Sequence, residues 1–235
     1  MENARLKQLK RFYGILDRLK TLQRWPNTLA GCSGRDRWPT RGVYFFQEPG
    51  EERHESGSEP RIVRVGTHAL TASSRTSLWN RLSQHKGANN TGGGNHRGSI
   101  FRLLVGTALV ARNNRAYPTW GQGSTAPRSI RDAELPLEIL VSHQIRSMPF
   151  LCLPIEDDAA PDSLRGYIEQ NSIALLSNFN RTPVDSPSKE WLGRHCNRDR
   201  VRISGLWNQR HVEQEPAPEF LDRLEQLISN AEMQN

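Results

Sequence analysis

The chain has 235 residues, of which 35% are hydrophobic and 24% are charged, and it carries a formal net charge of +7. These values are typical of a soluble globular protein and exclude a coiled coil or a fully disordered chain. No apolar run approaches the length of a membrane span. The positive charge favours a polyanionic partner such as nucleic acid, although many basic proteins bind none.

The N-terminal segment MENARLKQLKRFYGILDRLK carries charges throughout and lacks the continuous apolar stretch of a secretory signal. We therefore expect an intracellular, cytoplasmic protein. Its three cysteines, Cys32, Cys152 and Cys196, are odd in number and widely spaced, with no CxxC pair. This spacing indicates neither a disulfide framework nor a structural zinc site.

The first third of the chain predicts a helix followed by a hairpin. Residues 2–24 place leucines and aromatic residues at helical spacing, and Pro26 ends that helix. RGVYFF and RIVRVG are two short β-rich runs joined by a polar segment, which predicts an antiparallel hairpin with a long tip. SSRTSLWNRLSQHKG then predicts a short helix, with Ser74 or Thr76 as its N-cap and Gly87 just past its end.

The middle of the chain is more ambiguous. SIFRLLVGTALV fits either a helix or a buried strand, because periodicity does not separate the two. Residues 112–130 are predicted to be irregular. LPLEILVSHQI and PFLCLPI are predicted to be strands, with Pro136 and Pro154 placing their ends near an edge or a loop.

Two further helices complete the predicted order. Asp162 or Ser163 can cap a helix over LRGYIEQNSIALLSNF, and residues 217–232 form a last amphipathic helix. The order of helix, hairpin, helix, strands and helices indicates an α+β fold, with a small antiparallel β-sheet flanked by helices. The length allows one domain or two small ones, and we favour one.

Four features follow one another along this predicted fold. GVY at residues 42–44 lies on the first hairpin strand and RVG at residues 64–66 on the second; an arginine lies in the next helix and a glutamate on a later one. Their order resembles the GIY-YIG nuclease family over roughly residues 40–180. Arg81, in LWNRLSQH, matches the family's helix arginine, and Glu169, in YIEQNSIALLSNFN, matches its metal-binding glutamate.

The resemblance implies a GIY-YIG-like nuclease core over residues 38–182. Residues 1–37 would form an N-terminal helical extension, and residues 183–235 a C-terminal loop and helix. We expect all three parts to belong to one compact domain.

Two positions relate the chain to particular branches of the family. His85 follows Arg81 by four residues, so both lie on one helical face, and this is similar to an Arg-x-x-x-His arrangement in some restriction endonucleases of the family. Arg64 stands where the family has the second tyrosine. The general base is therefore open: either Tyr44 acts alone or another group replaces the missing tyrosine.

The function implied by the resemblance is a divalent-metal-dependent endonuclease that hydrolyses DNA phosphodiester bonds. Tyr44 would help to activate water, Arg81 would stabilise the transition state, and Glu169 would hold Mg²⁺ or Mn²⁺, with Arg64 and His85 assisting. The residue types suit these tasks, because Mg²⁺ accepts one or two carboxylates and a guanidinium forks onto phosphate oxygens. A free phenol has a pKa of about 10, so Tyr44 needs positive neighbours to ionise.

Strand alternation gives an expected orientation for the hairpin residues. If Val43 and Phe45 face the core, Tyr44 faces away from it. On the second strand, Val63 and Val65 are likewise expected to face the core, which leaves Arg64 on the side of Tyr44.

Several basic residues are candidate contacts to nucleic acid. TGGGNHRGS lacks the Lys-Ser/Thr ending of a P-loop, and we expect a flexible loop that presents His96 and Arg97 to a DNA backbone. Further candidates are Arg35, Arg102, Arg198 and Arg200. The alternative for these charges is a solvated surface. Trp207, near His211 in SGLWNQRHV, either contacts DNA or packs.

Taken singly, each site residue also has a structural explanation, as a packing phenol, a solvated arginine or a glutamate at a helix boundary. Only their order along the chain favours catalysis. Two other functions stay open: a DNA- or RNA-binding module that keeps the fold with little or no activity, and an RNA-processing or toxin-like hydrolase. The oligomeric state is also open, a homodimer included.

Overall fold

A three-stranded antiparallel sheet forms the centre of the molecule, whose computed structural model describes residues 3–233. Its strands are β1 (Gly42–Glu52), β2 (Pro60–Gly66) and β3 (Phe150–Pro154), in the order β2-β1-β3. The predicted α+β fold and the antiparallel hairpin are confirmed. Positions 1, 2, 234 and 235, at the outer ends of the predicted terminal extensions, lie outside the described residues.

Seven α-helices surround this sheet within the described part of the chain. They are α1 (Ala4–Leu22), α2 (Leu78–Lys86), α3 (Ile100–Arg112), α4 (Arg128–Ser147), α5 (Leu164–Leu176), α6 (Asp199–Ser204) and α7 (Phe220–Met233). Short 3₁₀ turns lie at His96–Gly98 and Leu192–His195. No helix among residues 3–233 has the length and apolarity needed to cross a bilayer.

Two hydrophobic cores cover the two faces of the sheet. The first core packs α1, α5 and α7 against the face that carries Val43 and Phe45. The second core packs α2, α3 and α4 against the face that carries Tyr44 and Phe46. Because both faces are covered, the first four residues of β1 after Gly42 read as a continuous apolar run rather than an alternating one.

This double burial corrects the expected orientation of Tyr44. The expectation that Tyr44 faces away from the core is wrong, because its side chain is fully buried in the second core. Val63 and Val65 do not share one core either: Val65 packs in the first and Val63 in the second. A bulge explains this, since Phe46 pairs with Arg64 while Gln47 pairs with Ile62, leaving Val63 as the extra residue.

LPLEILVSHQI, at residues 135–145, was predicted to be a strand, and this prediction is wrong: the segment lies within α4. Leu137, Val141 and Ile145 recur every four residues and are buried in the second core. Pro136 lies inside the helix, where it removes one backbone donor without ending the helix. SIFRLLVGTALV, for which two alternatives were open, forms α3.

Serine side chains cap the helices that flank the site. Ser77, and not Ser74 or Thr76, accepts a hydrogen bond from the Asn80 amide at the start of α2. Ser99 caps α3, and Ser163 caps α5 as one of the two predicted candidates. These caps satisfy donors that the first turn of a helix leaves without a partner.

The long tip of the hairpin is pinned by one buried carboxylate. Asp185 Oδ1 accepts hydrogen bonds from the backbone amides of His54, Glu55 and Ser56 at 2.8–3.1 Å, and its Oδ2 accepts one from the Ser56 hydroxyl. Burial alone would raise the pKa of Asp185, but the hydrogen bonds from Ser56 and from these amides outweigh it and hold the pKa below its ordinary value. The segment after α5 therefore holds the tip of the hairpin in place through Asp185.

We expect Asp185→Asn to lower the free energy of unfolding by about 1.5–3 kcal/mol at pH 7, because it removes charge-assisted hydrogen bonds while tolerating the positive φ of this position. A carboxyl with a lowered folded-state pKa stabilises fully above its unfolded pKa of about 3.9 and loses that effect as the pH falls through the folded value. The difference from wild type should therefore narrow below about pH 4 in urea titrations.

Asp222→Asn is the control, because Asp222 forms an exposed ion pair with Arg11 and such pairs contribute little. Equal losses in the two variants, or a loss at Asp185 that does not change with pH, would contradict the assignment.

Candidate active site

A cleft of about 640 Å³ lies beside β2 and collects three of the five predicted catalytic residues, Arg64, Arg81 and Glu169. It is lined by side chains from β2, the segment that follows it, α2, α5 and residues 208–211. The polar members of this lining are Arg64, Thr67, His68, Thr76, Arg81, Gln84, Glu169, Asn208, Gln209, Arg210 and His211.

Glu169 supplies the carboxylate of the cleft from the first half of α5. Its Oε1 accepts a hydrogen bond from the Thr67 amide at 3.2 Å, whereas its Oε2 has no hydrogen-bond partner within residues 3–233. Burial raises the pKa of Glu169, and the positive charge of Arg64 opposes that rise. One carboxylate oxygen is thus fixed and the other is open to a ligand.

Arg64 and Arg81 bring two guanidinium groups to the same cleft. Arg64 is only 6% exposed, donates from Nη1 to the Trp207 carbonyl and lies 5.5 Å from the centre of the Phe101 ring. Arg81 donates to Gln84 Oε1 at 3.1 Å and to the Gly98 carbonyl at 3.2 Å. The Nε–H of each arginine is buried without a hydrogen-bond partner. Both groups therefore keep a donor for an incoming anion.

Tyr44 and His85 lie behind this cleft, in the second core. The Tyr44 hydroxyl is 2.8 Å from His85 Nε2, and His85 Nδ1 is 2.8 Å from Ser99 Oγ. Burial lowers the pKa of His85 well below its ordinary value, so the imidazole is neutral at pH 7. Tyr44 has no exposed surface and does not line the cleft. The phenol is therefore held in position but has no direct access to solvent.

The glycine of the RVG tripeptide has a steric reason in this arrangement. Tyr44 pairs with Gly66 across β1 and β2, and a Cβ at Gly66 would lie 2.3 Å from the Tyr44 hydroxyl oxygen. No side chain fits there without displacing the phenol. Gly66 thus allows Tyr44 to lie flat against the neighbouring strand.

The donors of the cleft suit a hard divalent cation better than zinc. Within residues 3–233, no group of three or more His, Cys, Asp or Glu side chains is arranged to hold a metal ion. Mg²⁺ and Mn²⁺ need only one or two carboxylates when water and phosphate oxygens complete the coordination shell. The open Oε2 of Glu169 meets this minimal requirement.

His96, Arg97 and Arg102 are not at the surface, and the prediction that they contact a DNA backbone is wrong. His96 Nδ1 lies 2.9 Å from Glu138 Oε1, and the fully buried Arg102 pairs with the same carboxylate. Arg97 is paired through two nitrogens with Glu134. Both glutamates belong to α4, so predicting a strand there concealed the partners of these three residues.

The other candidate nucleic-acid contacts remain accessible. Arg35 and Arg198 are exposed, and Arg200 forms a half-exposed ion pair with Glu213 at 2.7 Å. A second groove of about 480 Å³ is lined by Arg198 and Arg200 and shares Gln209 with the cleft. Basic surface thus continues from the cleft along α6.

Sequence reasoning missed several residues of the cleft because they carry no motif. The Asn208 side chain pairs with both backbone groups of Val65, at 2.9 and 3.2 Å, and so extends the edge of β2. His211 adopts a positive φ of 65°, and its Nδ1 lies 2.9 Å from Gln214 Oε1. Burial and the charge of Arg165 lower the pKa of His68 to about 4. The only signal in the sequence was the polar run that follows Trp207, which is itself fully buried and packs.

Comparison with known proteins places this geometry in a family. A search of curated proteins and a search of solved structures each gave no match. The family model described as the GIY-YIG domain matches residues 3–234, nearly the whole chain. The cleft also holds the arginine and the glutamate that suggested this family. The chain belongs to the GIY-YIG domain family.

Proposed function

We propose that this protein is a divalent-metal-dependent endonuclease that hydrolyses phosphodiester bonds in DNA. Membership of a nuclease-type family supports the reaction class. The observation that carries the proposal is that Glu169, with an open carboxylate oxygen, shares one cleft with Arg64 and Arg81, each of which has a buried Nε–H without a hydrogen-bond partner. A metal-bound phosphate needs this combination of one anionic and two cationic groups.

Glu169 would hold Mg²⁺ or Mn²⁺ through Oε2 while the Thr67 amide fixes Oε1. When bound, such a cation stabilises the charge that develops on the phosphoryl oxygens and helps the alkoxide to leave. Burial raises the pKa of Glu169, and a cation bound at this site would favour the ionised carboxylate.

Arg81 and Arg64 would bind the scissile phosphate and stabilise its additional negative charge. A guanidinium stays charged at every relevant pH and presents several donors in a fixed plane. Removing one donor from such a preorganised site typically costs about 10²- to 10³-fold in rate. The partial burial of both groups strengthens their interaction with an anion.

Tyr44 would activate the attacking water, with His85 holding its hydroxyl in place. Because the phenol has no exposed surface, a neighbouring side chain has to move before water reaches it, and Arg64, which interacts with Tyr44, would be that side chain. The neutral imidazole of His85 orients the phenol through the 2.8 Å hydrogen bond.

The DNA backbone would continue from the cleft into the second groove, past Gln209 to Arg198 and Arg200. Arg35 is a further exposed candidate contact. The net charge of +7 supports a polyanionic partner and would speed its encounter with the protein.

A second candidate function is a DNA- or RNA-binding module with weak or no catalysis. Two observations favour it: Arg64 replaces the second tyrosine of the family, and Tyr44 is buried. Incubation with supercoiled plasmid, with and without Mg²⁺, separates the two functions. Binding without nicking supports the module, and cleavage of RNA but not DNA supports an RNA hydrolase.

We expect Glu169→Gln to reduce Mg²⁺-dependent plasmid nicking by about 10²-fold or more, because the cation loses its anionic ligand. DNA binding in anisotropy titrations should persist. Glu190→Gln, at an exposed position, is the control and should cleave like wild type. Wild-type turnover in Glu169→Gln would reject the metal-binding role.

We expect Arg64→Ala and Tyr44→Phe to impair cleavage more than binding, since both residues would act on the reacting phosphate or water. For Arg64→Ala, single-turnover cleavage should slow by about 10²- to 10³-fold. Tyr13→Phe is a matched control, because Tyr13 is also a buried phenol but belongs to the first core. If Tyr13→Phe slows cleavage as much as Tyr44→Phe, the effect is structural and not catalytic.

We expect Arg198→Gln to reduce the slope of log affinity against log salt by about 0.9 for duplex DNA, because one phosphate contact is lost. Arg128→Gln removes another exposed arginine, from the start of α4, and should leave the slope unchanged. Anisotropy titrations at several salt concentrations measure both slopes. Equal slopes in wild type and Arg198→Gln would place the DNA elsewhere.

A further inference from the structure

β1 carries a buried carboxylate, Glu48, that lies outside the cleft and has no ion-pair partner within residues 3–233. Its Oε2 accepts hydrogen bonds from the indole N–H groups of Trp191 and Trp207, both at 3.0 Å. Its Oε1 accepts one from Gln144 at 2.8 Å. A carboxylate buried among neutral donors is costly for stability, and an apolar residue commonly serves as well. We therefore attribute to Glu48 a role in fixing the positions of the side chains that donate to it, and not a role in stability.

One of those groups leads directly to the cleft. The Trp207 amide donates to the Val63 carbonyl at 2.7 Å, and the Trp207 carbonyl accepts the hydrogen bond from Arg64 Nη1. The next residue, Asn208, pairs with the backbone of Val65. Trp207 and Asn208 together are therefore hydrogen-bonded to β2 on both sides of Arg64, and Glu48 accepts a hydrogen bond from the Trp207 indole.

The second indole packs against the Trp207 ring, with ring centroids 5.4 Å apart, and also contacts a residue outside the cleft. Trp191 lies just before the 3₁₀ turn at Leu192–His195, and its ring faces the guanidinium of Arg61 at 5.0 Å. Arg61 does not line the cleft. Trp191 and Trp207 thus donate to the same oxygen and are equally buried, but only Trp207 contacts Arg64.

We propose that Glu48 is a positioning residue for the reaction: through the indole of Trp207 it fixes the carbonyl that orients the Arg64 guanidinium. This inference rests on the proposed function, because it assigns Glu48 a part in placing a phosphate-binding group. A displacement of about 1 Å in such a group costs up to about 10²-fold in rate. Glu48 contacts neither substrate nor metal in this role.

The first test compares Trp207→Phe with Trp191→Phe. Each variant loses one indole N–H from the same carboxylate oxygen and a similar buried volume. We expect Trp207→Phe to lower kcat about 10- to 100-fold with little change in KM, while Trp191→Phe keeps kcat near wild type at a similar thermal midpoint. Equal losses of kcat in both variants would overturn the proposal.

The second test uses Glu48 itself and also decides the matter if Trp207→Phe does not fold. Glu48→Gln keeps an oxygen that accepts hydrogen bonds from the indoles, and it should retain turnover close to that of the wild type. Glu48→Leu has a similar volume but no acceptor, and it should show the loss expected of Trp207→Phe. Wild-type kcat in a folded Glu48→Leu would overturn the proposal.

A readout without turnover separates this inference from the proposed function. In ¹⁵N-labelled protein, the Arg64 Nε–H resonance, assigned by its absence in Arg64→Lys, should shift in Trp207→Phe and Glu48→Leu but not in Trp191→Phe. An unchanged resonance in Trp207→Phe would reject the positioning of Arg64 through Trp207, even if the enzyme cleaves DNA. A shifted resonance in a protein that never cleaves would support the positioning of Arg64 through Trp207 and reject the nuclease function.

Discussion

The burial of the Arg64 guanidinium is the constraint on which the site depends. A permanently charged group that is 6% exposed has to be held by specific acceptors, because removing it from water is costly. Burial indeed lowers the pKa of Arg64, against the opposing influence of Tyr44 and Glu169. The Trp207 carbonyl supplies an acceptor, and Asn208 keeps that segment against the edge of β2. Asn208, which holds the acceptor of Arg64 in place, also lines the cleft.

Each of the two helical layers contributes a charged residue to the site. The first layer provides Glu169 from α5, and the second provides Arg81 from α2, so the cleft forms only when both layers pack on the sheet. Within the second layer, Glu138 on α4 binds Arg102 and His96 and thereby ties α3 and the turn before it to α4. Hydrogen bonds from His96 and the charge of Arg102 outweigh burial and keep the pKa of Glu138 low. This network supports the helix that carries Arg81 from behind, through the hydrogen bond from Arg102 to the His85 carbonyl.

The sequence was sufficient for features that follow from local spacing and motif order. The hairpin, α1, α5, α7 and the shared cleft of Arg64, Arg81 and Glu169 were all accessible in this way. It failed where a residue's partner lies far along the chain: Arg102 looks like a surface charge until α4 supplies Glu138. The strand predicted over LPLEILVSHQI has a different cause: it overlooked the recurrence of apolar residues every four positions, at Leu137, Val141 and Ile145. Asn208 and Glu48 are defined by contacts made across 96 to 159 residues.

The exchange of a tyrosine for Arg64 changes the electrostatics of the hairpin more than its shape. A second phenol would compete with Tyr44 for positive charge, whereas an arginine supplies that charge next to it. The same guanidinium interacts with Tyr44, which lies fully buried against Gly66 and His85. A phosphate that draws Arg64 toward the cleft would therefore both neutralise part of that charge and uncover the phenol. Substrate binding and the activation of water would then be coupled through one side chain, and the anchor at Trp207 sets how far that side chain can move.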